Sequence, residues 1–348
     1  VARLARFWRG PRARALLCAA LAACLLLGIW LDGAQPRHVA PVALAALALG
    51  CAVPWRAQDG RSGQPPASAR SRQLRARLDG AIADGEFRFH YQGKFDTAQL
   101  RLVGLEALLR WEHPRHGLVY PNEFIGLAEQ TDAIVALGNW GIDAACRQLA
   151  QWRAAGLPLV PVAVNISARQ LCQPHLPDFV FGCLQRHAIA PGLLELEVTE
   201  SCCIDDMAQA TQGLRRLRAL GLAISLDDYG TGHSGLSHVR MLPIHTIKID
   251  RCFIRDLGSA GSADSDTVIV ASTIALARGL GLQVLAEGVE NARQLARLRR
   301  LGCPQVQGYF LHRPASAAEV AALLAAGVPA GHVTAPKHGA MGPGVDAQ

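Results

Sequence analysis

Carboxylates, amides and a lysine recur where short apolar runs of this chain end. Glu106 lies in the run Leu102–Leu109, and Asn165 ends Pro161–Asn165. Glu197 and Glu200 stand near the end of Leu194–Thr199, and Asp227 and Asp228 close Ala223–Asp227. Lys248 and Asp250 lie near the end of Thr246–Ile249, Glu287 follows Gln283–Ala286, and Gln307 lies in Val306–Phe310. So many acids converging on one place would repel one another unless cations neutralised them. Glu, Asp and Asn oxygens without His or Cys suit Mg²⁺ or Mn²⁺. Adjacent aspartates at a strand end suit two metals sharing a site, and such a centre points to hydrolysis of a phosphate ester. Any one of these acids alone reads as a solvated loop charge; the set at successive strand ends does not. His113, His116, His233 and His238 read as rim or surface residues rather than ligands.

The elements that must position these groups follow from the apolar pattern. Arg88–Phe95 completes a set of eight candidate strands. Amphipathic stretches alternate with them: Asn122–Gln130, Gly138–Ala154, Leu176–His187, Met207–Leu220, Val268–Leu280 and Ala292–Leu301. That alternation predicts an α/β fold, a (β/α)8 TIM-like barrel, with an open doubly wound sheet as the other solution. In a barrel, functional groups cluster at the C-terminal ends of strands, which is where these polar residues fall. Strand alternation puts Glu195 and Glu197 on one face of their strand, and Lys248 and Asp250 on one face of theirs.

The residues resemble those of the EAL-domain cyclic di-GMP phosphodiesterases over positions 78–326. The tripeptide Glu106-Ala107-Leu108 sits in GLEALLRW (104–111). It is followed by HPRHGLVYPNEFIGLAE (113–129), VAVNIS (162–167), LELEVTES (194–201) and SLDDYGTGHSGL (225–236). LPIHTIKIDRCFI (242–254), VLAEGVE (284–290) and VQGYFLHRP (306–314) complete an ordered series. The resemblance implies a barrel whose first strand runs against the others, and hydrolysis of cyclic di-GMP to linear pGpG with two Mg²⁺ or Mn²⁺. It implies that Glu106, Asn165, Glu197 and Asp227 hold one metal, with Asp227 and Asp228 at the second. Lys248 would orient or activate the attacking water, with Glu287 and Gln307 completing the pocket. Arg110 would contact a phosphate, Gln92 would lie near a guanine, and Asp250 would belong to the substrate side. Glu200 would anchor the glycine-bearing segment Asp228–Leu236, which the family connects to a dimer interface. Tyr229, His233 and Gly235 stand there in place of commoner residues, and Gly93 replaces a usual proline. Purely structural roles are open for two of the cations: Lys248 could pair with Asp250, and Arg110 with an acid at a strand end. Two other functions compete with the active enzyme: a non-catalytic cyclic di-GMP receptor or interaction protein on the same fold, and a different metal-dependent phosphoesterase.

Composition bounds the rest. The chain has 348 residues, 50% hydrophobic and 18% charged, which excludes a mainly disordered protein. The net charge of +7 is uneven: residues 1–77 hold twelve Arg against Asp32 and Asp59, or +10, leaving −3 for the remainder. That distribution argues against DNA or RNA as a partner of the body and for anionic lipid near the N-terminal part. Only three Lys occur, Lys94, Lys248 and Lys337, so a lysine at a chemical position is conspicuous. The ten Cys show no CxxC pair and read as reduced, mostly buried thiols.

Apolar runs at 15–31 and 39–55 predict a transmembrane helical hairpin within residues 1–57. Arginines flank both outer ends, so the positive-inside rule puts the termini in the cytoplasm. A secretory signal peptide is the other reading of the first run. The expectation is a bacterial inner-membrane signalling protein with its EAL domain in the cytoplasm. Residues 58–77 read as a linker, with helical periodicity resuming at Gln73–Ile82, 78–326 as the domain, and 327–348 as a loose tail rich in Gly, Pro and Ala.

Overall fold

In a computed structural model, which describes residues 69–199, 207–230, 236–258 and 264–326, the apolar runs close into a barrel. Its strands are β1 (Phe87–Asp96), β2 (Leu102–His113), β4 (Val162–Ile166), β5 (Leu194–Thr199), β6 (Ala223–Tyr229), β7 (Thr246–Ile249), β8 (Gln283–Ala286) and β9 (Gln305–Val306). A three-residue β3 (Gly117–Val119) folds back on the end of β2 as a hairpin. The hydrogen-bonded order is β1-β9-β8-β7-β6-β5-β4-β2, and β2 pairs with β1 to complete the ring, which excludes the open sheet. β1 is antiparallel to both neighbours and the other seven barrel strands are mutually parallel. The reason lies in the connections. β1 reaches β2 through five residues, long enough only for a reversal, whereas a helical crossover lets each later strand re-enter in the same direction.

The helices are α1 (Ala69–Ala83), α2 (Pro121–Glu129), α3 (Ala133–Ala154), α4 (Ala168–Leu171), α5 (Leu176–His187), α6 (Met207–Ala219), α7 (Leu236–Met241), α8 (Asp264–Gly279), α9 (Ala292–Leu301) and α10 (Ala317–Ala326). Local chemistry sets their ends. In α9, Asn291 accepts from the N–H groups of Arg293 and Gln294, the Gln294 side chain reaches back, and Gly302 ends the helix at φ +75°.

The main core lies between barrel wall and helices, with Leu105, Val164, Leu196, Ile224, Ile247 and Val284 fully or nearly buried. A second core joins Leu74, Leu78 and Ala81 of α1 to Phe87, Trp111 and Phe124. Helix α1 therefore begins at Ala69 and is packed into the domain, inside the stretch 58–77 that the sequence marked as linker. A second difference concerns the last strand, expected over Val306–Phe310: it ends at Val306. Gly308 lies so close to the backbone of Val289 that a Cβ there would sit 2.1 Å from the Val289 carbonyl oxygen. The chain turns at that contact, so Gln307 stands just beyond β9 rather than within it.

Among the described residues no helix is long and apolar enough to cross a membrane. The expected spans at 15–31 and 39–55 and the tail at 327–348 lie outside those residues, as do Glu200, His233 and Gly235. The described cysteines are free thiols; Cys146, Cys183 and Cys303 are buried, Cys172 is half-buried and Cys252 is exposed.

Candidate active site

Strand alternation aims one row of side chains from each strand into the barrel. On β2 the row is Glu106, Leu108 and Arg110, and on β1, running the other way, Gln92 lies opposite Glu106 with Lys94 one step deeper, opposite Gly104. β5 contributes Glu195 below and Glu197 above, and Asn165 of β4 is in register with Glu197. Lys248 comes from β7, and Glu287 follows β8.

These groups meet around one ammonium. Lys248 Nζ lies 2.7 Å from Glu197 Oε2, 2.8 Å from Glu287 Oε1, 3.0 Å from Asp227 Oδ2 and 3.9 Å from Glu106 Oε1. Lys248 is fully buried, and its partners are these four acids, not Asp250. Gln307 Nε2 donates to Glu106 Oε2 at 2.6 Å and to Gln92 Oε1 at 3.0 Å, while Gln92 Nε2 donates to the His312 carbonyl at 2.9 Å. Asn165 Nδ2 donates to Glu106 Oε1 at 3.2 Å. Glu106, Glu287, Gln92 and Gln307 line one cleft together with Arg251, Glu290 and Tyr309.

The aspartate pair is splayed by the backbone. β6 and β7 slip register between Leu226 and Tyr229, and Asp228 takes φ +56° while its N–H donates to Asp227 Oδ1 at 2.9 Å. A left-handed non-glycine residue is strained, and such strain gathers at functional sites. Arg110 has no ion pair among the described residues; its guanidinium stacks 5.1 Å above the Tyr120 ring and donates to the Leu109 carbonyl. Four residues of strand put Arg110 about 13 Å above Glu106 toward the mouth. Asp250 accepts from the Cys252 N–H at 2.9 Å and so caps the turn after β7. His113, read as rim or surface, is buried: its ring packs tilted against Trp111 and accepts from the N–H groups of Arg115 and His116.

Charge is in surplus here. Glu106, Glu195, Glu197, Asp227, Asp228 and Glu287 face two ammonium groups, Lys94 and Lys248. The acids accordingly diverge. Burial raises the Glu197 carboxyl, but Lys248 and Lys94 outweigh it and hold the group down at about 2. Burial together with Asp227, Glu106 and Glu197 lifts Glu287 to about 8 against the pull of Lys248. Burial and neighbouring acids also raise Glu106 and Asp228. Burial opposes the charge on Lys248, yet the four acids keep it protonated far above its ordinary value. Such a surplus is relieved by protons or by further cations.

The donor set fits hard divalent cations: the five carboxylates of Glu106, Glu197, Asp227, Asp228 and Glu287 and one amide, all oxygen donors once the Asn165 amide turns Oδ1 inward. Among the described residues no group of three or more His, Cys, Asp or Glu encloses a point as metal ligands would, and the Lys248 ammonium stands between the acids.

Two contributors escape a reading of the sequence. Lys94 pairs with Glu197 and Glu195 beneath the cleft; its signal was its rarity and its place two residues along the strand from Gln92. His312 accepts from the Gly93 N–H through Nδ1 at 3.2 Å. A proline at position 93 has no such donor, so the glycine brings a hydrogen bond with it.

A family model described as EAL domain matches residues 75–314. The bifunctional diguanylate cyclase/cyclic di-GMP phosphodiesterase MucR of Pseudomonas aeruginosa is 44% identical over 253 residues, 73% of this chain and 36% of that protein. The cyclic di-GMP phosphodiesterase NbdA of the same organism is 42% identical over 242 residues, 70% of this chain and 30% of that protein. The chain thus spans about a third of the length of these curated relatives. A solved structure described as "PaMucR Phosphodiesterase, c-di-GMP complex" superposes with a TM-score of 0.67 at 43% identity, covering 71% of this chain and 99% of that one.

Proposed function

This chain belongs to the EAL-domain family, and on that premise we propose that it hydrolyses cyclic di-GMP to linear pGpG at the cleft around Glu106 and Lys248. The observation that carries the reading is the gathering of Glu106, Glu197, Asp227 and Glu287 around the buried Lys248 at the C-terminal mouth of the barrel. The relatives named as cyclic di-GMP phosphodiesterases support the substrate. Glu106, Asn165, Glu197 and Asp227 would hold one divalent cation, Mg²⁺ or Mn²⁺, and Asp227 and Asp228 would serve the second, with Glu287 and Gln307 as further groups of the pocket. Bound there, the cations supply an acidified water and offset the charge of the phosphate.

The chain's own groups do the rest. Lys248 orients the attacking water and binds negative charge as it develops. Arg110 grips a phosphate with its guanidinium fork. Gln92 borders a guanine and Asp250 serves the substrate side, and the resemblance implies an anchoring role for Glu200, which lies outside the described residues. Water adds to phosphorus and one ester P–O bond breaks, leaving a phosphate monoester and a free hydroxyl.

We also propose a tether to the inner membrane through the spans at 15–31 and 39–55, with the barrel in the cytoplasm. Homodimerisation is the assembly that the resemblance implies.

The test incubates the purified full chain with cyclic di-GMP and Mg²⁺ or Mn²⁺ and separates products by chromatography. Metal-dependent pGpG is expected, with none from a Glu106→Ala control. Tight binding of cyclic di-GMP without product would overturn the enzyme reading and leave the receptor.

A further inference from the structure

Below the cleft a line of polar side chains crosses the barrel floor. Ser225 Oγ donates to Glu195 Oε1, and Lys94 Nζ donates to Glu195 Oε2 at 3.2 Å and to Glu197 Oε1 at 2.7 Å. Lys248 Nζ takes the other oxygen of Glu197, Oε2, also at 2.7 Å. Each oxygen of Glu197 is therefore committed to a different ammonium, one from below and one from the level of the site. Lys94 is only 3% exposed and Glu197 is completely buried, so no substrate reaches Lys94. Opposite it on β2 stands Gly104, where a Cβ would rest in van der Waals contact with the lysine stem, 3.5 Å from Cδ.

A buried charge of this kind is weak as a stabilising device, because well-packed apolar side chains in its place commonly serve a fold as well. Its distinctive effect is directional. A carboxylate free at both oxygens can rotate and bind a cation through either or both. One pinned at Oε1 from beneath presents Oε2 alone toward the mouth.

We propose that Lys94 is a positioning residue for the phosphodiester hydrolysis. It fixes Glu197 so that one oxygen faces the divalent-cation site, and Glu195 and Ser225 fix Lys94 in turn. This rests on the function proposed above. Groups that hydrogen-bond a metal-binding carboxylate from behind typically govern about 10- to 100-fold in metal affinity or activity.

The experiment uses the full chain carrying Lys94→Met together with Glu195→Gln, which removes the link without changing formal charge. Mn²⁺ binding, without nucleotide, is read from the electron paramagnetic resonance of free Mn²⁺, alongside thermal melting and steady-state kinetics. The pair is expected to melt like the wild type, to bind Mn²⁺ about tenfold or more weakly, and to lose kcat with KM little changed. Wild-type Mn²⁺ affinity and kcat in the folded pair would overturn the proposal. If the pair fails to fold, Lys94→Arg and Lys94→Gln are compared: retained Mn²⁺ affinity in the first and a loss in the second support it, and equal affinities overturn it. Wild-type turnover of cyclic di-GMP, measured in parallel, separates failure of this assignment from failure of the enzyme reading.

Discussion

Asp228 shows what the site asks of a single residue. It holds φ +56°, a conformation that costs an L side chain about 1–2 kcal/mol, and it does so beside Asp227, with its own carboxyl raised by burial and by that neighbour. Asp228→Gly relieves both the backbone strain and the repulsion. The expected result is a gain of up to about 1 kcal/mol in stability, seen as a higher melting temperature, with turnover reduced at least about tenfold. A lower melting temperature would show that the side chain supports the fold rather than the chemistry. Gly308 is the opposite case, a residue chosen for what it lacks. Gly308→Ala forces a Cβ onto the Val289 backbone and displaces Gln307, and should cost about 1–3 kcal/mol along with activity. An alanine variant with wild-type melting and kcat would show that the turn after β9 yields without disturbing Gln307. The acids of the site were legible in the sequence because they recur in or at the ends of successive apolar runs. Lys94 was not, because its meaning depends on the register of β1 against β2, which spacing alone does not give. Only antiparallel pairing sets Gln92 level with Glu106 and drops Lys94 beneath it, onto Glu197.

At the scale of elements, β5, β7, β8, α5 and α9 have the bounds that the apolar pattern predicts. β9 differs because a close backbone contact, invisible to periodicity, cuts it short. α1 begins at Ala69, ahead of the helical periodicity at Gln73–Ile82, because its buried apolar residues, Leu74, Leu78 and Ala81, all lie within that shorter stretch and none marks the first turn. Its fastening is also electrostatic. Arg77 of α1 bonds Glu86, whose other oxygen accepts from Trp111 Nε1 at 2.8 Å in the second core. Burial raises the Glu86 carboxyl, but Arg77 and Trp111 outweigh it and hold it below its ordinary value of 4.5. A lowered carboxylate pKa contributes stability that is complete above the unfolded-state value and disappears as pH falls through the folded-state value. Glu86→Gln should therefore melt below the wild type at pH 7, and the gap should close as the pH falls below about 4.5. Melting curves of the two proteins across that range decide it; a gap independent of pH would assign the loss to packing alone.

The whole molecule is electrically lopsided, with +10 over residues 1–77 and −3 over the rest, and the folded barrel begins inside the basic part at Ala69. Two attachments to an anionic bilayer are consistent with such a chain, and they respond differently to salt. Arginines lying on lipid headgroups hold by screened charge, and at about 1 M salt the Debye length shrinks to about 3 Å. Apolar segments spanning the hydrocarbon are indifferent to screening. The proposed tether through 15–31 and 39–55 therefore predicts that the full chain, expressed in bacteria, sediments with the inner membrane and stays there through washes in high salt and in alkaline carbonate. It also predicts sidedness. Protease should reach the barrel in inverted membrane vesicles and not in intact spheroplasts, because arginines flank both outer ends of the spans. Release by salt would reduce the attachment to surface charge. Cleavage of the barrel from outside would reverse the orientation and remove the proposed active site from the compartment in which a cytoplasmic cyclic dinucleotide could reach Glu106 and Lys248.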